Sequence, residues 1–291
     1  MLCGCIDIGT NTTRVLVAEA RDGRLTEVLQ RRAFTRLGRG LGPGHAIPED
    51  RIAETAEVVS AQHALAREAG ASPIRTVATA VIRRAANAVE FCAAIRRHCG
   101  IDVTVLDGAE EARLAFLGAT RTLGRVPPGR LAVVDVGGGS TEIAAGTVAG
   151  GVEWSTSLPV GSGMLADRFL GADPPTDDDL AAARGYAWLA LDGVDLPPVD
   201  SAVAVGGSAA SLRRVVGPVL DHAALDRALA VLQRAPAAQV AARYHLEEQR
   251  VRLLPAGLIA LGAAGAALDQ PLLIGNGGLR EGILLDMAGT G

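Results

Sequence analysis

The sequence predicts a duplicated α/β protein in which two lobes of like construction enclose a cleft. Three observations carry that prediction. At 291 residues the chain is long for one compact core and comfortable for two, since domains hold roughly 100 to 200 residues. Its residues are 49% hydrophobic but only 3% aromatic, which suits α/β layers of small side chains and excludes disorder as a description of the whole chain. One segment also occurs twice: Cys5 to Val15 aligns without a gap with Val133 to Ile143, apolar on apolar and Asp7-x-Gly9 on Asp135-x-Gly137.

Each copy reads as a β-branched strand, a tight turn of glycine and hydroxyl residues, and a return strand, Val15 to Ala20 and Ile143 to Thr147 respectively. Copies so far apart indicate a duplicated lobe. Between them the signals alternate: a helix started by Pro48 and closed at Gly70, a strand Arg75 to Thr79, a helix Val89 to Cys99, a strand Val103 to Leu106 and a helix opening at Ala109. After the second copy come a strand Ser155 to Pro159, a helix from Ser162 and another from Thr176, where Thr-x-x-Asp179 has the form of a capping box. A strand Ala202 to Val205 then runs through Gly206-Gly207-Ser208 into a helix, and the remainder is mostly helical. A strand Leu272 to Ile274, a Gly275 to Gly278 turn and a helix from Leu279 close the chain. The lobes are expected to divide in the proline-containing stretch Arg121 to Pro128, giving 1–123 and 124–291.

A net charge of −4 exerts no general pull on nucleic acid or an anionic membrane. No lysine occurs, so a P-loop lysine, a Schiff-base lysine and a protein-kinase lysine are all excluded, and phosphate must be met by arginine forks or backbone N–H groups. Cys3 and Cys5 fall on one face of a strand and, with Cys92 and Cys99, read as reduced thiols rather than a zinc site. The N-terminus lacks the pattern of a secretion signal, so cytoplasmic residence is expected. Leu253 to Leu268 is uncharged, but its Ala/Gly content and Pro255 suit a buried helix better than a membrane span.

A turn rich in Gly, Thr and Ser directly after a strand presents several N–H groups on one side, a nest for phosphate oxygens. Gly9, Thr10, Asn11 and Thr12 form one such candidate, Gly137, Gly138, Gly139, Ser140 and Thr141 a second, and Gly207 and Ser208 add a third strand-to-helix turn. Either turn alone could be an ordinary hairpin; two facing turns would make a clamp. Asp7 and Asp135 end buried strands just before these turns, where an unpaired carboxylate is costly, so magnesium is expected there, with bonding to the turn's own amides as the alternative. Glu110 and Glu111 open a helix about 100° apart, so one of them can face the cleft, or both can serve the helix dipole. Arg83 and Arg84 pose the same choice.

Asp7 to Asn11, Ala78 to Arg83, Gly108 to Leu114, Asp135 to Glu142 and Gly278 to Gly282 together resemble the exopolyphosphatase and guanosine pentaphosphate phosphohydrolase family, in order and spacing, across nearly the whole chain. The resemblance implies the actin-like ATPase (ribonuclease H-like) fold, closing over phosphates. It implies Glu111 as general base toward the attacking water, Glu142 as its partner, Asp135 as magnesium ligand with manganese an alternative, and Arg83 as neutraliser of the departing phosphoryl group. The implied substrate is inorganic polyphosphate or guanosine pentaphosphate, and a homodimer is implied as well. Ala80, Arg84 and Arg252 depart from the family pattern, and the long helical C-terminal extension of larger members is missing. The departures motivate a second reading, a non-catalytic sensor of polyphosphate or alarmone; an ATP-dependent kinase on the same fold is a third. Arg31, Arg32, Arg36, Arg39, Arg213 and Arg214 are candidates for a path along the phosphate chain, or for a solvated face.

Overall fold

The structure, a computed structural model, describes residues 1–42, 44–125 and 127–289. Val126, inside the stretch where the lobes are expected to divide, lies outside the described residues. The chain builds two sheets of the same plan. In the first, β1 (Leu2–Ile8) is apolar on nearly every residue because it lies inside the sheet, antiparallel to β2 (Thr13–Arg21) and parallel to β4 (Ile74–Ala78). β3 (Arg24–Ala33) extends the edge beyond β2, and β5 (Thr104–Val105) extends the other beyond β4. The order is β3-β2-β1-β4-β5.

The sequence reading has no counterpart to β3, whose RLTEVLQRRA run is mostly exposed. An edge strand with one wet face carries little apolar signal. Its turn was visible, however: Asp22 and Gly23 have φ values of 52° and 71°, the paired positive angles for which Asp-Gly is favoured in a two-residue hairpin.

Helix α1 (Glu49–Glu68), the short α2 (Ala80–Arg83) and α3 (Ala88–Cys99) follow the expected order, and α1 and α3 pack their apolar faces against this sheet. α4 (Gly108–Thr122) ends the first half of the chain. The second half repeats the plan with β6 (Leu131–Val136), β7 (Thr141–Thr147), β8 (Gly151–Leu158), α5 (Ser162–Phe169), α6 (Asp177–Leu189), β9 (Ser201–Val205) and α7 (Gly206–Val216). The capping box expected at Thr176 and Asp179 is formed. A short β10 (Val219–Leu220) precedes α8 (His222–Arg234), α9 (Ala237–Tyr244), α10 (Glu248–Val251) and α11 (Leu254–Ala267); β11 (Leu272–Ile274) and α12 (Leu279–Met287) follow. The second sheet runs β10-β11-β9-β6-β7-β8, the first sheet's order with one strand added. The stretch 248–267 is long and apolar enough to cross a membrane by length and composition, but 72% of its most apolar 18-residue window is buried, and its apolar residues belong to the second lobe's core, as those of a core helix would.

Two helices fill the space between the sheets. Ile283 and Leu284 of α12 pack on Cys3, Cys5 and Leu16 of the first sheet, so the two N-terminal thiols are core residues. Ala112, Phe116 and Ala119 of α4 pack on Val133, Ala144 and Val203 of the second. The helices cross backbone to backbone at Gly118 and Gly282: a Cβ on Gly282 would strike the Leu114 carbonyl, and one on Gly118 would strike Gly278 and Gly282. Gly282→Ala is therefore expected to cost about 1–3 kcal/mol, read as a Tm lowered by several degrees. An unchanged Tm would mean that the crossing yields freely.

Candidate active site

The two turns are built alike. Gly9 N donates to Thr12 O and Gly137 N to Ser140 O, each at 3.0 Å. Their carbonyls are bound from behind: Thr10 O and Asn11 O accept from Gly38 and Arg36, while Gly137 O and Gly138 O accept from Ser162, Gly163 and Met164. Among the described residues, the N–H groups of Thr10, Asn11, Gly138 and Gly139 donate to no protein group. Such amides, clustered with their carbonyls already engaged, have the character of an anion nest.

The turns face one another. Thr10 and Asn11 press so closely on Gly138, Gly139 and Gly163 that a Cβ on any of these glycines would meet them. Both turns line one cavity of about 520 Å³ between the lobes.

Carboxylates line the same cavity. Asp7 and Asp135 are the last residues but one of β1 and β6, and burial raises both pKa values, that of Asp135 to about 7, with Glu142 and Asp7 adding to the rise. Asp7 Oδ1 is buried without a hydrogen-bond partner. Gly206, at φ 87°, lets the start of α7 come against Asp135, where a side chain would collide with its carboxylate.

Helix α4 opens with Asp107, whose carboxylate caps Glu110 N at 2.8 Å. The start of the helix aims Glu111 into the cavity, while Glu110 turns away and pairs with Arg113 at 2.7 Å. Burial, and then the neighbouring Glu142, push the Glu111 pKa well above the ordinary value. Arg83 Nη1 donates to Glu111 Oε2 at 2.7 Å and to Leu106 O at 2.8 Å, and its Nη2 stands 3.7 Å from Glu142 Oε1. Glu142 is also raised by burial, against the Ser140 and Ser157 hydroxyls; Ser157 donates to it at 2.7 Å.

The arginines that matter most on the opposite wall escaped the path reading from sequence. Arg14 faces Asp7 in the β1–β2 register as Glu142 faces Asp135 in β6–β7. The repeat thus carries an arginine in one copy and a glutamate in the other, and facing hairpins place them on opposite sides of the cavity. The gapless alignment paired Arg14 with Glu142, and that pairing was the available signal. Arg14 Nε donates to Thr12 Oγ1 at 3.0 Å, and burial together with Arg280 and Arg250 lowers its pKa to about 9. Arg250 is buried with Nε and Nη2 unpartnered. Both guanidinium groups converge on Gly207 at the start of α7: a Cβ there would lie 2.7 Å from Arg250 Nη1 and 2.9 Å from Arg14 Nη2. Arg280 lines this wall too.

Other predicted residues fall in varied places. Gly9 to Thr12, Gly137 to Ser140, Gly207, Asp7, Asp135, Glu111 and Glu142 all line the cavity. Thr141 Oγ1 is engaged with Val160 O at 2.6 Å, and Ser208 is buried beside Gly257; neither lines it. Arg83 stands behind the carboxylates rather than on the cavity wall, and Arg84 donates to Gly139 O at 2.9 Å. Of the candidate path arginines, Arg32 and Arg214 line the cavity, whereas Arg36 and Arg39 line a separate interlobe pocket.

A family model described as the Ppx/GppA phosphatase family matches residues 16–290. Exopolyphosphatase 2 of Mycobacterium tuberculosis is 30% identical, over 98% of each chain, and Exopolyphosphatase 1 of the same organism is 29% identical over 98% of this chain and 88% of that protein. An uncharacterized protein of Streptomyces coelicolor, SCO0757, is 35% identical over 63% of this chain, a stretch that spans 55% of that relative. Among solved structures, the Aquifex aeolicus member of the Ppx/GppA family superposes with a TM-score of 0.81 at 31% identity, covering 99% of this chain and 97% of that one. An exopolyphosphatase from Cytophaga hutchinsonii shares the fold, at 20% identity and a TM-score of 0.86 over 99% and 97% of the two chains. The duplicated two-lobed α/β architecture expected from the sequence is the one observed, and it is the fold of the Ppx/GppA family member. With the match running from β2 to the C-terminal helix, the chain belongs to the Ppx/GppA phosphatase family.

Proposed function

We propose that the protein hydrolyses the terminal phosphoanhydride bond of linear inorganic polyphosphate, releasing orthophosphate, with guanosine pentaphosphate an alternative substrate of the same chemistry. The observation that carries this reading is the polarity of the cavity. One wall holds Arg14, Arg250 and Arg280 with too few carboxylate partners, a hole in the charge balance that a polyanion would fill. Unengaged amides of two turns lie between, and the deeply buried Glu111 and Glu142 lie opposite. Exposed Glu247 and Arg32 mark the arginine side as the open one.

In this scheme the phosphate chain enters over the arginines and its terminal unit is held by the amides of Gly138, Gly139, Thr10 and Asn11. Glu111 takes a proton from water, the water oxygen bonds to the terminal phosphorus, and the bridging oxygen leaves with the shortened chain. Glu142 holds the water's second hydrogen. Arg83 keeps both carboxylates oriented and favours their ionised forms. The raised pKa of Glu111 makes it a stronger base near neutral pH.

A divalent cation suits the site. No group of three or more His, Cys, Asp or Glu among the described residues forms a self-sufficient cage, but magnesium needs only one or two carboxylates beside substrate phosphates and water. Asp135, and Asp7 with its unpartnered Oδ1, would hold magnesium or manganese. Such an ion would supply the positive charge that lets carboxylates and phosphates share one cavity.

The test is phosphate release from short polyphosphate, long polyphosphate and guanosine pentaphosphate, side by side, with and without magnesium or manganese. Tight binding with no release from any of them would favour a non-catalytic sensor. Arg250→Met is expected to raise KM for long chains about tenfold or more while leaving the stability of the free protein no lower, since two nitrogens of this buried side chain lack partners. An unchanged KM would remove Arg250 from the chain-binding wall.

A further inference from the structure

The facing turns separate two cavities. Beyond them lies a second interlobe space of about 390 Å³ that shares three residues with the first, Thr10, Ala80 and Gly139. The partition is thin. Thr10 of the first lobe is wedged between Gly38 and Gly139, and a Cβ on either glycine would strike its side chain. Ala80, a methyl group, provides the rest of the shared wall.

The charges on the two sides differ. On the catalytic side stand Glu111 and Glu142. Beyond the partition, Arg84 bridges the lobes to Gly139 O at 2.9 Å, and the Arg168 guanidinium lies 4.7 Å over the ring of Tyr186. Asp167 also lines this space.

We infer that this second cavity is the exit route for orthophosphate, with Arg84 and Arg168 as its anion-attracting residues. The inference rests on the hydrolase reading. After each cleavage the shortened chain still fills the arginine-lined mouth, so the freed phosphate is trapped between that chain and the glutamates. Leaving backwards would require the chain to dissociate. Leaving past Thr10 requires only that the lobes part by the width of one small side chain, because Thr10 and Gly139 belong to opposite lobes. Once Glu111 has passed its proton on to the freed phosphate or to solvent, the carboxylates repel the anion on one side and the arginines draw it on the other. The chain can then advance without release, and shortening is processive.

The experiment combines product inhibition with the length distribution of products. With wild-type protein, orthophosphate is expected to inhibit without competing with polyphosphate, and chains are expected to shorten without accumulating intermediates. Arg168→Ala, remote from the catalytic carboxylates, should raise the phosphate inhibition constant about tenfold, the effect of losing one charge-assisted contact. Ala85→Trp, which narrows the outer cavity, should make shortening distributive, with intermediate lengths visible on a gel, while the single-turnover rate stays at the wild-type value. Purely competitive inhibition, a phosphate constant unmoved in Arg168→Ala, or distributive shortening by the wild type would overturn the inference. So would a proportionate fall in the single-turnover rate of a folded Ala85→Trp. If the wild type releases no phosphate at all, the hydrolase reading falls first and this inference with it.

Discussion

Glu111→Gln is expected to lower phosphate release by about 10² to 10⁴, the usual contribution of a positioned general base, while folding and polyphosphate binding persist. The substitution is nearly isosteric. A glutamine Oε1 can still accept from Arg83 Nη1, which now donates at 2.7 Å, so the wall keeps its shape. What disappears is the group able to receive a proton. Because burial and Glu142 hold the Glu111 pKa well above the ordinary carboxylate range, wild-type activity should climb with rising pH as Glu111 ionises. The residual activity of the variant should lose that climb. Undiminished release, measured with phosphate-detecting dye on protein shown to be folded, would remove Glu111 from the chemistry. A full loss that left the acid limb of the pH profile in place would assign the limb to another group.

Much of this site could be read in the sequence, for a definite reason. A strand, a glycine-rich turn and a return strand form a local unit, and its chemistry follows from contiguous residues such as Gly137 to Ser140. The duplication was legible because the same unit must be written twice. Three things were not. The edge strand Arg24–Ala33 has one wet face and lacks a continuous apolar pattern. The choice between Glu110 and Glu111 depends on the rotation of α4 about its axis, which packing of Ala112 and Phe116 on the second sheet decides, and the choice between Arg83 and Arg84 on the seating of the short α2, whose Ile82 is buried in the first lobe's core. The convergence of Arg14 and Arg250 joins residues near opposite ends of the chain. Charge of the same sign gathered from such distance leaves no local pattern, and its purpose appears only when the unpaired nitrogens are seen together.

Asp135→Asn should stabilise the free protein at alkaline pH while sharply reducing activity. In the folded chain the Asp135 pKa is raised from 3.8 to about 7, so the native state prefers the neutral acid. Its favourable contribution is fully present below about pH 4 and is lost as pH rises through about 7. At about 1.4 kcal/mol per tenfold change in proton affinity, the loss is on the order of 4 kcal/mol. Asparagine never ionises, so the variant avoids that loss: its Tm should match the wild type near pH 4 and exceed it at pH 8. Magnesium should raise the wild-type Tm at pH 8, because a bound cation offsets the buried charge, and should raise that of Asp135→Asn far less. Equal metal-induced shifts in both proteins would mean that the cation binds elsewhere, and a variant less stable than wild type at pH 8 would mean that the charge is already compensated within the chain. The uncompensated carboxylate is a stability cost that a bound cation would relieve, so the pH range in which the free protein is weakest would be the one in which that cation binds best.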